Sequence, residues 1–180
     1  MTKYRISLPK LIFMALCCDL GIIAKKLIAP AANVVTEFLH IPGGISVSFS
    51  LMFILIGAYI CNIPFAATLM CVLQCVLALC MGTTGSLGML AIIGYIVPGI
   101  VMDICIFLFS HTRIERTEQI VLVNAIAGVS AAACANMLTF RLISIPLYLY
   151  LAVSFTSGIL CGILGGILIK RVGHICRFEK

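Results

Sequence analysis

Six apolar segments follow one another along this chain, with only short polar connections between them. They cover residues 8–29, 45–61, 65–81, 86–110, 118–140 and 147–169. Their length matches what an α-helix needs to cross the hydrocarbon core of a bilayer. Because only 10% of the 180 residues are charged, no part of the chain has the polar surface of a soluble domain. The sequence predicts an all-α membrane protein, with residues 1–180 forming a single domain, a compact bundle of six transmembrane helices.

Positive charges are distributed unequally between the two sides of the predicted membrane. With six spans, both termini lie on the same side of the membrane. The basic residues on that side are Lys3, Arg5, Lys10, Arg113, Arg116, Lys170, Arg171, Arg177 and Lys180. The opposite side has only Arg141 and the pair Lys25 and Lys26. By the positive-inside rule, the N- and C-termini are cytoplasmic. We interpret the net charge of +6 as loop charge that sets this orientation, and we expect no nucleic-acid partner.

The longest predicted connection, residues 30–44, follows the first span on the outer side. Asn33, Glu37 and His40 alternate there with apolar residues, which is typical of an amphipathic segment. Long ordered connections are usually functional, and many are lids. We therefore expect residues 30–44 to form an external lid loop across the outer mouth of the bundle.

Polar residues inside the spans are concentrated in the predicted outer half. Such residues are expensive in hydrocarbon and point to function. The set comprises Lys25, Lys26, Tyr95, Asn136, Arg141, Tyr148, Tyr150 and Ser154. We interpret it as a shallow cavity under the lid that binds a small polar solute. The predicted substrate-binding residues are Lys26, Asn33, Glu37, His40, Tyr95, Asn136, Arg141, Tyr148 and Ser154.

Several of these residues have a second explanation. Successive helical positions differ by about 100°, so Lys25 and Lys26 cannot both face the cavity. We expect Lys26 to face it and Lys25 to reach the headgroups, as lysines near helix ends do. An aromatic belt explains Tyr148 equally well, and a bridge between helices explains Asn136. The inner carboxylates Asp19 and Asp103 are too few to form a proton relay.

The sequence lacks the constellations that an enzyme would need. The three histidines lie outside the predicted spans, and neither an HExxH sequence nor a P-loop occurs. The ten cysteines are interpreted as small apolar residues that pack between helices. We therefore predict no catalytic site, no metal site and no cofactor, and any ATP hydrolysis would belong to partner subunits.

Small residues recur every four positions in the sixth span, at Ser154, Gly158, Gly162 and Gly166. This spacing lines one helix face and lets another helix approach closely. The neighbour can belong to this chain or to a partner protein, and we favour packing within the chain.

Four stretches carry a resemblance to a known family: "AKKLIAPAANVVTEFLHIPGG", "GTTGSLGML", "YIVPGIVMD" and "SGILCGILGG". Over nearly its whole length the chain resembles the S-component, the substrate-binding membrane subunit of energy-coupling factor (ECF) transporters. The resemblance implies capture of a vitamin or vitamin precursor at the outer face of a bacterial cytoplasmic membrane. It also implies docking on a transmembrane T-component coupled to two cytoplasmic ATPases, followed by toppling of the whole subunit to deliver its cargo.

The predicted docking face departs from the family pattern. In that family an Ala-x-x-x-Ala motif is common on the first span. Here the residue four positions after Ala15 is Asp19 instead of alanine, whereas Cys17 and Gly21 keep a small-x-x-x-small spacing. We predict docking through Ala15, Cys17 and Gly21. The sequence does not distinguish among thiamine-like precursors, cobalamin-type ligands, other B vitamins and a modified purine as the substrate. The alternatives are a self-sufficient secondary transporter or channel for a small polar solute, and a membrane enzyme or structural subunit.

Overall fold

The computed structural model describes residues 7–38, 45–82, 91–110, 114–140 and 145–175. Its α-helices are α1 (Leu8–Phe38), α2 (Ile45–Cys61), α3 (Ala66–Cys80), α4 (Ala91–Ser110), α5 (Arg116–Ala135) and α6 (Ile145–Ile175). A π-helical turn, Asn136–Phe140, continues α5. The described residues contain no strand. The prediction of an all-helical chain with six helices is therefore confirmed for this part of the sequence.

Three helical segments are long and apolar enough to cross a membrane: Ile92–Ser110, Arg116–Leu138 and Ile145–Val172. The protein is accordingly a membrane protein by the length and composition of these helices. α2 and α3 are also apolar but have 17 and 15 residues, which at 1.5 Å per residue gives roughly 25 and 22 Å. α1 is long enough, with 31 residues, but it carries Lys10, Asp19, Lys25 and Lys26 within its length.

α2 lies at the centre of the bundle. Ten of its 17 residues are buried, and it contacts α1, α3, α5 and α6. Helices that follow one another in sequence run antiparallel: Gly21 and Cys17 of α1 lie beside Ser50 and Gly57 of α2. This arrangement defines two ends of the bundle. The terminal end is where α1 begins and α6 ends, and the distal end is where α2, α4 and α6 begin.

The small residues of α6 pack against α5. A Cβ atom added to Gly158 would lie 2.7 Å from Cα of Ala125, and one added to Gly162 would lie 2.7 Å from Cα of Val121. Such distances leave no room for any side chain, so the two backbones are in direct contact. The preferred explanation of the stripe, packing within the chain, is therefore confirmed.

The predicted lid loop is helical over its first part. α1 continues to Phe38, so residues 30–38 extend the first helix beyond residue 29, where the sequence predicts that the span ends. Pro30 lacks an N–H and removes only the bond to the carbonyl of Lys26, a loss that helices in membranes tolerate. The side chain of Glu37 and all of His40 lie outside the described residues.

Candidate functional site

A cavity of about 180 Å³ opens between five helices in the distal half of the bundle. We call it the distal cavity. Its polar residues are Lys25 of α1, Ser50 of α2, Gln74 of α3 and Tyr95 of α4. Its walls are otherwise apolar and include Ile54, Pro98, Ala131 and Leu138. No described residue of α6 lines it. An apolar pocket with a few convergent polar groups is the usual form of a small-molecule site.

Lys25, rather than Lys26, belongs to the distal cavity. Its Nζ donates a hydrogen bond to the hydroxyl oxygen of Tyr95 over 3.1 Å and lies 5.0 Å from the centre of the Tyr95 ring. Both residues are half-buried. Lys26 is exposed, and its Nζ contacts Sδ of Met81 at 3.9 Å. The expectation that Lys26 faces the cavity and Lys25 reaches outward is reversed in the structure.

The rotation of α1 explains this reversal. Cys18 and Gly21 are buried against α2 and α3, and Lys25 follows them at the helical spacing that keeps one face. Lys26 is turned about 100° away from that face. A signal for this was present in the sequence, because the small residues Cys18 and Gly21 mark the buried side of α1.

A buried polar pair forms part of the cavity wall. The Ser50 hydroxyl donates to Oε1 of Gln74 over 3.1 Å, and Nε2 of Gln74 donates to the backbone carbonyl of Cys18 over 3.1 Å. Gln74 is only 2% exposed, so its amide is held in one orientation. Neither Ser50 nor Gln74 was among the predicted binding residues. Gln74 is the single glutamine in the apolar stretch of α3, and that isolation was the available signal.

Gly21 lies directly beside the Ser50–Gln74 pair. A Cβ atom there would lie 2.5 Å from Nε2 of Gln74, so glycine makes room for the amide. Cys17 is buried at 4% exposure and lies beside Gly57 of α2. Both residues are thus covered by this chain, and Ala15 is half-buried. The small-x-x-x-small face predicted for docking points into the bundle.

The other predicted binding residues are dispersed. Tyr148 is 73% exposed and Asn33 is also exposed. Ser154 is 1% exposed and lies in the α5–α6 interface, where its hydroxyl has no hydrogen-bond partner among the described residues. Asn136 is buried at the start of the π-helical turn. None of these four lines the distal cavity, and Arg141 lies outside the described residues.

The π-helical turn nevertheless contributes to the site. π-helical turns are rare and occur frequently at functional sites. Here the turn carries Leu138 to the cavity wall, three residues after Ala135 of α5. The distal end of α5 thus lines the cavity with the two apolar side chains Ala135 and Leu138, while Asn136 between them lies elsewhere in the interior.

Asp103 has a structural role. Its carboxylate accepts hydrogen bonds from the backbone N–H of Ala67 (3.2 Å), the backbone N–H of Thr68 (2.7 Å) and the Thr68 hydroxyl (2.6 Å). These amides belong to the first turn of α3, where N–H groups lack partners within the helix. Phe65, which precedes α3, has φ 60° and no capping side-chain bond. Asp103 of α4 therefore caps α3 from a neighbouring helix.

The chemistry available in the distal cavity is that of a binding site. The Lys25 ammonium has three donors, one of which meets Tyr95, and no described carboxylate lies within ion-pair distance of it. A half-buried cation that has no counterion among the described residues attracts an anionic or strongly polar group, and the interaction is stronger there than in water. The described residues contain no cluster of metal-ligating side chains.

Comparison with known proteins identifies no relative. No protein-family model matches the chain, no curated protein is similar to it, and no solved structure resembles it closely enough to count as a match.

Proposed function

We propose that this protein captures a small anionic or strongly polar solute in the distal cavity, as the S-component of an ECF-type importer for a vitamin or vitamin precursor. The observation that carries the proposal is the ammonium of Lys25, half-buried beside Tyr95 and without a carboxylate partner among the described residues. The cavity, at about 180 Å³, is smaller than the roughly 300–1,000 Å³ of pockets for drug-sized ligands. This size favours a compact ligand, or one compact polar part of a larger ligand.

We further propose that all six helices lie in a bacterial cytoplasmic membrane with the distal end outward. The terminal end carries Lys10, Arg116, Lys170 and Arg171, which supports cytoplasmic termini under the positive-inside rule. α2 is shorter than α1, α4, α5 and α6, but it is surrounded by α1, α3, α5 and α6. Its polar ends can therefore be met by protein rather than by lipid.

A partner subunit would dock on the outward face of α1. Ile12, Leu16, Asp19 and Ile23 follow one another at helical spacing and all are exposed. On α1, Asp19 lies between Cys17 and Gly21, which are beside Gly57 and Ser50 of α2. Asp19 is therefore level with the middle of α2. A carboxylate facing lipid at that depth is unfavourable by roughly 2.5–3.5 kcal/mol on insertion scales. A T-component helix that presents a hydrogen-bond donor or a cation would remove this penalty.

Binding by the purified protein tests the site. Mass spectrometry of the material that copurifies with the chain identifies the ligand, and calorimetry then compares Lys25→Met with Lys26→Met. A hydrogen bond to a charged group contributes about 1.5–3 kcal/mol, so Lys25→Met should weaken binding by about 10- to 150-fold. Lys26→Met is the matched control and should bind like the wild type. Equal affinities for the two variants would reject the proposed site.

Transport measurements separate the importer from a self-sufficient carrier. In liposomes that contain only this chain, an S-component should bind its ligand without moving it, whereas a secondary transporter or channel should accumulate or equilibrate it. The variant Asp19→Leu should keep the wild-type affinity of the purified chain and lose ligand uptake in cells. Uptake at the wild-type rate by Asp19→Leu would show that the outward face of α1 is not the docking face.

A further inference from the structure

A second cavity, of about 300 Å³, lies at the terminal end between α2, α5 and α6. We call it the terminal cavity. Two of its lining residues are cations on different helices, Arg116 at the start of α5 and Lys170 near the end of α6. Its remaining polar groups are on Tyr59 and Thr117, and its apolar part is formed by Ile60, Ile120 and Ile169. The binding site described above uses none of these residues.

The electrostatics of the terminal cavity favour an anion. Arg116 and Lys170 both line it, whereas the nearby carboxylates Glu115 and Glu118 are exposed and do not line it. The guanidinium of Arg116 lies over the Tyr59 ring, with Cζ 5.9 Å from the ring centre, and this contact limits where the charge can go. Two positive charges at one concave site repel each other and are stabilised together by a bound anion.

The start of α5 adds a second source of positive potential. The first backbone N–H groups of a helix lack partners within it, and the two cavity-lining residues Arg116 and Thr117 are the first two residues of α5. No side chain of the preceding residue, Glu115, caps them. An anion held by Arg116 and Lys170 would therefore also meet the positive end of the α5 dipole.

We propose that the terminal cavity binds a phosphate group, and that an acidic phospholipid supplies it. The charged rim would hold the phosphate, while Ile60, Ile120 and Ile169 would contact the glycerol and the first acyl carbons. Basic pockets between helices at the cytoplasmic side of membrane proteins commonly bind acidic headgroups in this way. The site is independent of the distal cavity and of the importer function, and it rests on the proposed placement of the terminal end at the cytoplasmic side.

Native mass spectrometry of the full chain in detergent tests the proposal by titration with phosphatidylglycerol, phosphatidylcholine or inorganic phosphate. We expect one phosphatidylglycerol to bind in preference to phosphatidylcholine. Each cation contributes about 1 kcal/mol to attraction of an acidic lipid, or about fivefold in affinity. Arg116→Gln and Lys170→Gln should each weaken binding about fivefold, and the double variant about 25-fold.

Arg171→Gln is the matched control, because Arg171 is also exposed and adjacent to Lys170 but does not line the cavity. It should bind phosphatidylglycerol like the wild type, and Arg116→Lys should keep most of the affinity because it keeps the charge. Displacement of phosphatidylglycerol by millimolar inorganic phosphate would support a phosphate site. It would assign that site to free phosphate and overturn the phospholipid as its occupant. Equal loss in the Arg171→Gln and Lys170→Gln variants, or no preference over phosphatidylcholine, would overturn the proposal.

Discussion

The glycines of α6 and those of α1 and α2 make different kinds of helix contact in the same bundle. A Cβ atom at Gly158 or Gly162 would overlap backbone atoms of α5, Cα of Ala125 or Cα of Val121, each at 2.7 Å. A Cβ atom at Gly21 or Gly57 would instead overlap the ends of side chains, Nε2 of Gln74 or Cε of Met70, each at 2.5 Å. The first interface is thus made of two backbones, and the second of side chains that reach across.

This difference accounts for the position of the distal cavity. Where two backbones touch, as α5 and α6 do at Gly158 and Gly162, no volume remains for a ligand at that level of the bundle. Where side chains of different lengths separate the helices, as around Ser50 and Gln74, gaps remain and polar groups are available to line them. The cavity is accordingly lined by α1 to α5 and by no described residue of α6. The close α5–α6 interface serves as the rigid side of the bundle.

The largest expected effect on stability is that of Gly158→Ala. The added methyl would overlap backbone atoms of α5 that cannot move without displacing the helix, and overpacking of this kind costs about 1–3 kcal/mol or more. Thermal unfolding in detergent should show a clear fall in the midpoint temperature. Gly166→Ala is the control, because its nearest atom, Cγ2 of Thr117, would be 3.5 Å away. Equal midpoints for the two variants would contradict the description of a backbone interface.

Asp103→Ala should have the next largest effect. It removes three hydrogen bonds to the first turn of α3, and loss of a capping residue costs about 0.5–2 kcal/mol. Denaturant unfolding of the purified variant measures this change. Asp19→Ala removes an exposed carboxylate and should not lower the free energy of unfolding. A destabilisation by Asp19→Ala as large as that by Asp103→Ala would show that the assignment of the capping role is wrong.

Gly21→Ala should have the smallest effect of the three, because the group in its way is a side-chain amide. Moving that amide breaks the bond from Gln74 to the carbonyl of Cys18, which contributes about 1 kcal/mol. A double-mutant cycle sharpens the result, since Gly21→Ala should cost less when Gln74 is already alanine and only the Ser50 atoms at 3.2 and 3.3 Å remain close to the added methyl. The methyl of Gly57→Ala would overlap the flexible end of Met70 and would be 3.4 Å from Cβ of Cys17, so this variant should be milder still. Additive effects of Gly21→Ala and Gln74→Ala would contradict the contact.

Several elements of the fold were predictable because their signals are local. The second apolar segment, residues 45–61, coincides with α2, since an uninterrupted run of apolar residues has clear ends. The four-residue spacing of small residues in α6 correctly indicated close helix contact at Gly158 and Gly162, because only small residues let backbones meet. The continuation of α1 through Pro30 was not predicted, because one proline removes a single hydrogen bond and the residues around it decide whether the helix goes on.

The candidate site was predictable only in part. Hydropathy and glycine spacing act within single segments, and they were enough to indicate a helical membrane protein, the six helices of the described residues and the polar residues of the distal half. The tertiary structure decided that Lys25 rather than Lys26 meets Tyr95, that Ser50 and Gln74 join the cavity wall, and that Asp103 caps α3. Each of these depends on how one helix is rotated against another, and that rotation is set by contacts between residues distant in the sequence.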